Sequence, residues 1–169
     1  MRAVDSIIRG VGASAVGTLA MDTLLYVRYR RGGGETGFLP WETSEGVQTW
    51  ESAPAPAIVA KQFLERVTRR DVPPRYARTL NNLTHWGFGL ATGAGYGLLA
   101  GTRRPSILYG PPFGAAVWAG GYVVLPLLGV YQPIWKYDLK TLEKDLSAHL
   151  VFGTATAAAF WLLTHRTTR

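Results

Sequence analysis

Leu80-Asn-Asn-Leu-Thr-His85-Trp-Gly-Phe-Gly89-Leu-Ala-Thr-Gly93-Ala-Gly-Tyr-Gly97-Leu-Leu-Ala-Gly101 contains no charged side chain. His85, Gly89, Gly93, Gly97 and Gly101 recur every fourth residue. On a helix they form one stripe, bare of side chains beyond a single imidazole. In water so many glycines argue against a helix, at roughly 1 kcal/mol each relative to alanine. In a bilayer the argument reverses. No water competes for the backbone, and small residues at i, i+4 let two helices approach closely. The stretch reads as a membrane span built to pack against a partner.

The rest of the chain fits that reading. Its 169 residues suffice for one domain. Mean hydropathy is only +0.06, because the apolar blocks are rich in Gly and Ala and a long polar segment dilutes them. The net charge of +7 sits beside 47% hydrophobic residues in long blocks. That combination favours basic flanks of membrane spans over a nucleic-acid surface. With no cysteine, disulfides, thiolate metal sites and cysteine nucleophiles are excluded.

The first apolar block is 6–27, interrupted only by Arg9 and Asp22. It has the length of a span. Arg28, Arg30 and Arg31 after it read as a stop flank rather than as the cleavage site of a signal peptide. Ser14, Thr18 and Asp22 share a face, with Ala13 and Gly17 as a small-xxx-small pair beside it. Residues 28–79 are polar, opened by Gly32-Gly33-Gly34. Trp41 and Trp50 lie in an acidic half and suit the headgroup level. An amphipathic helix follows at about 57–70, with Phe63 on its apolar face and Arg66, Arg69 and Arg70 opposite. It suits a membrane surface, or a soluble cap on the other helices. The second span is 80–101, and the third is 107–130, kinked at Pro126 near its end. Tyr131–Asp145 reads as a loop, 146–164 as the fourth span, and the tail beyond it as basic. The expected fold is all-α: an integral membrane four-helix bundle of two helical hairpins, with one interfacial helix.

Two spans repeat. His85-Trp-Gly-Phe-Gly-Leu-Ala-Thr-Gly-Ala94 matches His149-Leu-Val-Phe-Gly-Thr-Ala-Thr-Ala-Ala158 at His, Phe, Gly, Ala, Thr and Ala. The first and third spans match only through Gly12-Ala13 and Gly114-Ala115. This points to duplicated hairpins related by an axis along the membrane normal.

His85 opening a glycine-rich span, Pro126-Leu-Leu-Gly129 followed by Pro133 and Trp135, then Asp145 and His149-Leu-Val-Phe, resemble the YagU-like family of small bacterial inner-membrane proteins. The resemblance covers about 80–163 and loosely the first span, and nothing in 28–79 corresponds. It implies a multi-pass protein of the bacterial plasma membrane, with both termini and the 102–106 turn in the cytoplasm and a link to acid resistance. It carries over no catalytic residue. A Lys/Arg count points the other way, since the 28–79 and 131–145 segments hold 12 of the 18 bases.

Ionisable residues within spans are costly and raise a functional question. Arg9 is expected to snorkel to the interface. Asp22, His85 and His149 fall at one membrane depth and form a polar layer. Gly89, Gly93, Gly97, Gly101 and Gly153 are the packing positions. His-His-Asp without a fixed motif is a weak metal signal, and no metal, cofactor or nucleic-acid partner is expected. No nucleophile–base pair or phosphate-cradling loop appears, so no enzymatic activity is expected either. The stripes favour a protein acting by helix association, an accessory or scaffold subunit bound to a membrane partner or to itself in the lipid bilayer. The alternative is a proton-responsive or small-solute conduit through the Asp/His layer. An enzyme acting on lipid or quinone at the interface is the weakest of the three.

Overall fold

The computed structural model describes residues 2–165, and these are all-α, with no strand among them. The helices are α1 (Ala3–Arg31), α2 (Phe38–Glu42), α3 (Ala55–Thr68), α4 (Ala77–Gly101), α5 (Gly110–Leu127) and α6 (Leu139–His165). Short 3₁₀ turns at Pro74–Tyr76, Ile107–Tyr109 and Ile134–Lys136 lead into α4, α5 and α6. Of these helices, α1 and α6 are long and apolar enough to cross a membrane by length and composition. The basic tail at 166–169 lies outside the described residues.

Several boundaries differ from expectation. Half of the expected 131–145 loop is the first part of α6. Asp138 starts that helix by accepting from the Thr141 backbone N–H at 2.9 Å and from its hydroxyl at 2.7 Å, a side-chain N-cap. The helix α5, expected as a third span over 107–130, stops at Leu127 rather than at Val130. Pro126 falls in its last turn, and Gly129, at φ +70°, closes the end while Val130 N–H reaches Leu125 C=O at 2.9 Å. The same device ends α1. Gly33, at φ +91°, lets Gly34 N–H reach Tyr29 C=O at 3.0 Å.

Helix α1 is central. It packs antiparallel to α4 on one side and to α6 on the other, α5 packs on the far side of α6, and α3 lies on α4. The α1–α4 seam pairs Gly10 with Gly93 and Gly97, Ser14 with Gly93, and Thr18 with Gly89. A Cβ at Gly93 would collide with the Ser14 side chain and the Gly10 carbonyl. The α1–α6 seam seats Gly17 on Phe152 and Thr156, and the α5–α6 seam sets Gly110 and Gly114 against Gly153. Backbones touch wherever the stripes meet, which is what small residues permit. Arg9 does not simply point outward, because its guanidinium donates to the Leu163 carbonyl at 3.0 Å. Arg28 does the same at the other end of α6, donating to Lys144 C=O at 2.7 Å and to the Ser147 hydroxyl at 2.8 Å.

The interior is small and partly polar. Ser6, Ser14, Thr18, Asp22 and Thr156 are buried, alongside Ala13, Ala148 and Ala157. Large apolar residues lie outside: Ile8, Leu83, Phe88, Leu99, Val123 and Leu127 are all more than half exposed. One aromatic cluster of Tyr96, Phe113, Phe152 and Phe160 closes the end nearest the 102–106 turn, with ring centroids 4.8 to 5.7 Å apart.

Gly93→Leu is expected to destabilise the fold by about 1–3 kcal/mol or more, the range of overpacked cores. Leu98→Ala, on an exposed position, is expected to be milder. Thermal melting of both variants in detergent checks this; equal melting would contradict a close seam at Gly93.

Candidate functional site

The α1–α4 seam ends at a cluster of ionisable groups. Asp22 is one α-helical turn beyond Thr18, and His85 is one turn before Gly89, so the seam that pairs Thr18 with Gly89 pairs Asp22 with His85. His85 Nε2 lies 3.1 and 3.0 Å from the two Asp22 oxygens. Asp22 is almost fully buried, its side chain 4% exposed. A buried carboxylate needs such a partner, because leaving it unpaired costs several kcal/mol.

Two further residues complete the cluster. The short helix α2 folds back so that Glu42, its last residue, lies beside Asp22 and accepts a bond from Trp86 Nε1 at 3.1 Å. Burial, and then the neighbouring Asp22 charge, push the Glu42 carboxyl above its usual range; His85 and the Trp86 N–H oppose them. Arg78 and Asn82 hold the end of α2 by donating to the Thr43 carbonyl at 2.9 and 2.8 Å. Neither Glu42 nor Trp86 stood out in the sequence. Glu42 is one of four acids in a polar stretch, and only the turn made by α2 brings it to α1.

His149 stands level with His85 along α1. On α1, Thr18 faces Gly89 and Gly17 faces Phe152, so the histidines one turn before Gly89 and Gly153 lie level. They do not bond to each other. His149 Nδ1 donates to the Asp145 backbone carbonyl at 2.9 Å, and the Asp145 carboxylate stands 3.7 Å from the same nitrogen. Each imidazole therefore has an aspartate, one from a neighbouring helix and one from its own preceding turn. The i, i+4 spacing of Asp145 and His149 was readable; assigning Asp145 to a loop hid it.

The repeat holds for α4 and α6 and shifts for their partners. Gly114 meets His149 where Asp22 meets His85. The counterpart of Gly114 in the first hairpin is thus Asp22, not Gly12, and the match of Gly12-Ala13 with Gly114-Ala115 is corrected. Gly12 has open space around it.

Both histidines line one apolar cavity of about 520 Å³, bounded by α1, α3, α4, α5 and α6. It lies between α4 and α5, which meet through Tyr96 and Phe113 and otherwise barely touch. Among the described residues no group of three or more His, Asp or Glu is arranged to hold a metal ion.

The packing glycines Gly89, Gly93 and Gly97 face α1, and Gly153 faces α5; Gly101, the last residue of α4, is half-buried. All these seams lie within the chain. The expected interfacial residues divide. Trp41 stacks among Tyr26 and Tyr29, with centroids 5.4 and 6.0 Å away. Trp50 donates to the Val72 carbonyl at 3.0 Å and lies under the Lys61 ammonium. Phe63 and Arg66 are exposed on α3, and Arg69 and Arg70 are exposed just beyond its end, since the helix expected at about 57–70 stops at Thr68; Val59 of the same helix lines the cavity. α3 is thus a cap with an exposed amphipathic side.

Compared with known proteins, the chain matches no family model, no curated protein and no solved structure.

Glu42 is the group whose titration bears on stability. With a folded value above its ordinary one, it stabilises the docked α2 fully at low pH. That contribution is lost as pH rises through the raised value. Glu42→Gln keeps an acceptor for Trp86 and cannot ionise. Its melting temperature is expected to match wild type near pH 4 and exceed it near pH 8, as checked by melting in detergent at both values. An equal gap at both would contradict the burial argument.

Proposed function

We propose that this chain is a four-span helical membrane protein whose Asp22–Glu42–His85 cluster is a proton-responsive centre. The observation that carries the proposal is the inverted distribution of polarity around that cluster. A buried carboxylate, its half-buried imidazole partner, and buried Ser and Thr sit inside a shell on which many large apolar side chains point outward. A water-soluble domain of this size hides such residues, and a broad exposed apolar surface marks a membrane or partner contact. Only 33% of the most apolar stretch of α1, and likewise of α6, is buried in the chain, unlike a soluble core helix. α4 and α5 are the further two spans of this reading. The polar pieces α2, α3 and the start of α6 then gather on one side of the bilayer.

Histidine is the side chain whose ordinary pKa, about 6.5, lies closest to neutral pH, so the imidazole is the member of this cluster suited to take up and release a proton. Asp22 from α1 and Glu42 from α2 are the charged groups that face it. Three groups this close exchange protons as a unit rather than singly. Protonation of the cluster alters the hold of α2 on α1 and α4, which is a route from external or internal pH to shape. The acid-resistance link that the YagU-like resemblance implies agrees with this reading, and membership of that family is part of the proposal.

Association remains the second reading. The seams that favoured it are occupied within the chain, but α4 presents another small-residue line outward. Gly87, Ala91 and Gly95 are exposed, with open space at both glycines.

Two measurements test the proposal. The chain has no native cysteine, so Gln48→Cys and Arg104→Cys introduce unique thiols. In sealed vesicles an impermeant maleimide is expected to reach them from opposite sides; labelling from the same side would overturn the four-span topology. In an NMR titration of the imidazoles, Asp22→Asn and Glu42→Gln are each expected to displace the midpoint of His85. Ordinary titration of His85, indifferent to both variants, would end the proton-responsive reading and leave association standing.

A further inference from the structure

The cavity between α4 and α5 has a polar end and an apolar end. His85, His149, Tyr131 and Thr84 line it where α3 crosses, and Phe152 with the aromatic cluster behind it forms its floor. No Asp, Glu, Lys or Arg lines it. An occupant with a net charge would have no counter-charge except a protonated imidazole, so the lining suits a neutral, largely apolar molecule. The volume of about 520 Å³ is that of an ordinary ligand site.

The imidazoles specify the head of that molecule. His149 Nδ1 faces the Asp145 carbonyl, which can only accept, so Nδ1 carries the hydrogen and the neutral ring leaves Nε2 as a bare acceptor. His85 Nε2 faces the Asp22 carboxylate and carries the hydrogen when that group is ionised. Its Nδ1 is then an acceptor in the neutral ring and a donor in the charged one. Neither His149 Nε2 nor His85 Nδ1 has a hydrogen-bond partner among the described residues, and the two side chains are 24% and 27% exposed. A hydroxyl satisfies both, because it donates and accepts. A carbonyl cannot serve neutral His149.

We propose that the cavity binds a neutral lipid-like molecule whose head carries two hydroxyls, held by His149 Nε2 and His85 Nδ1, with its apolar tail directed into the gap between α4 and α5. The inference rests on the membrane reading above, since a lipid would enter through that gap. Two sources share this chemistry: a quinol ring and a glycerol diol bearing one acyl chain.

The test uses the full chain in phosphatidylcholine nanodiscs at pH 7.5, with decyl-hydroquinone kept reduced by dithionite, decylquinone, and monodecanoylglycerol. Binding is read by calorimetry and by ¹⁵N signals of the histidine rings. One of the two dihydroxy probes is expected to saturate and to shift His149 Nε2 and His85 Nδ1; whichever binds more tightly identifies the source. His149→Phe is expected to weaken it roughly tenfold, the size of one hydrogen bond left unmade. Val124→Trp, which fills the cavity, is expected to abolish binding while the variant stays monodisperse and His85 titrates as in wild type. Failure of both dihydroxy probes to bind, equal binding of decylquinone and decyl-hydroquinone, or binding indifferent to both variants would overturn the proposal. None of these outcomes touches the Asp22-dependent titration of His85, which is measured without probe.

Discussion

Everything in this fold depends on how closely α1 and α4 approach. Gly10, Ser14 and Thr18 meet Gly97, Gly93 and Gly89 with no large side chain between them. Only at that separation can Asp22 and His85, the next pair along the seam, come within bonding distance. The glycines cost helix propensity in water and gain contact when desolvated. The same line of positions is therefore a packing device for most of its length and a chemical one at its end. The carboxylate in turn fixes the rotation of α4 about its axis, since slipping the seam by one residue would leave Asp22 buried without a partner.

The four long helices were legible because their evidence is periodic. A glycine every fourth residue, an uncharged run and basic flanks can be read without knowing the neighbours. That His85 and His149 stand level along α1 was legible for the same reason, as each lies one turn before a corresponding glycine. The short helix α2 was not. Phe38–Glu42 is too brief to show a period, and it is held by tertiary bonds from Arg78 and Asn82. Glu42, which it delivers to Asp22, was invisible with it. The start of α6 was missed because its charges read as loop, although Asp138 is an N-cap.

The two helix pairs hold their imidazoles differently. Where the first hairpin has Asp22, the second has Gly114, whose lack of a side chain lets α5 touch the backbone of α6 at His149. The aspartate is instead supplied one turn earlier on α6 itself. One histidine is thus held across two helices and by a charge that α2 modulates, while the other is anchored within its own helix. The two imidazoles are thus held in different ways, and both border the same cavity.

The central place of α1 has a consequence for biogenesis if the helices span a bilayer. Helix α1 is made before both of the helices it lies between, α4 and α6. Until α4 is synthesised, the Asp22 carboxyl has no imidazole, and the Ser and Thr face beside it has only lipid or the insertion machinery for company. A half-made chain would therefore be detained at the site of insertion, and the arrival of His85 would act as its release. Topogenesis of this protein would then be timed by the distance along the chain from Asp22 to its histidine. The polar segment carrying α2 and α3 occupies that interval, and would then be a spacer in time as well as a cap in space.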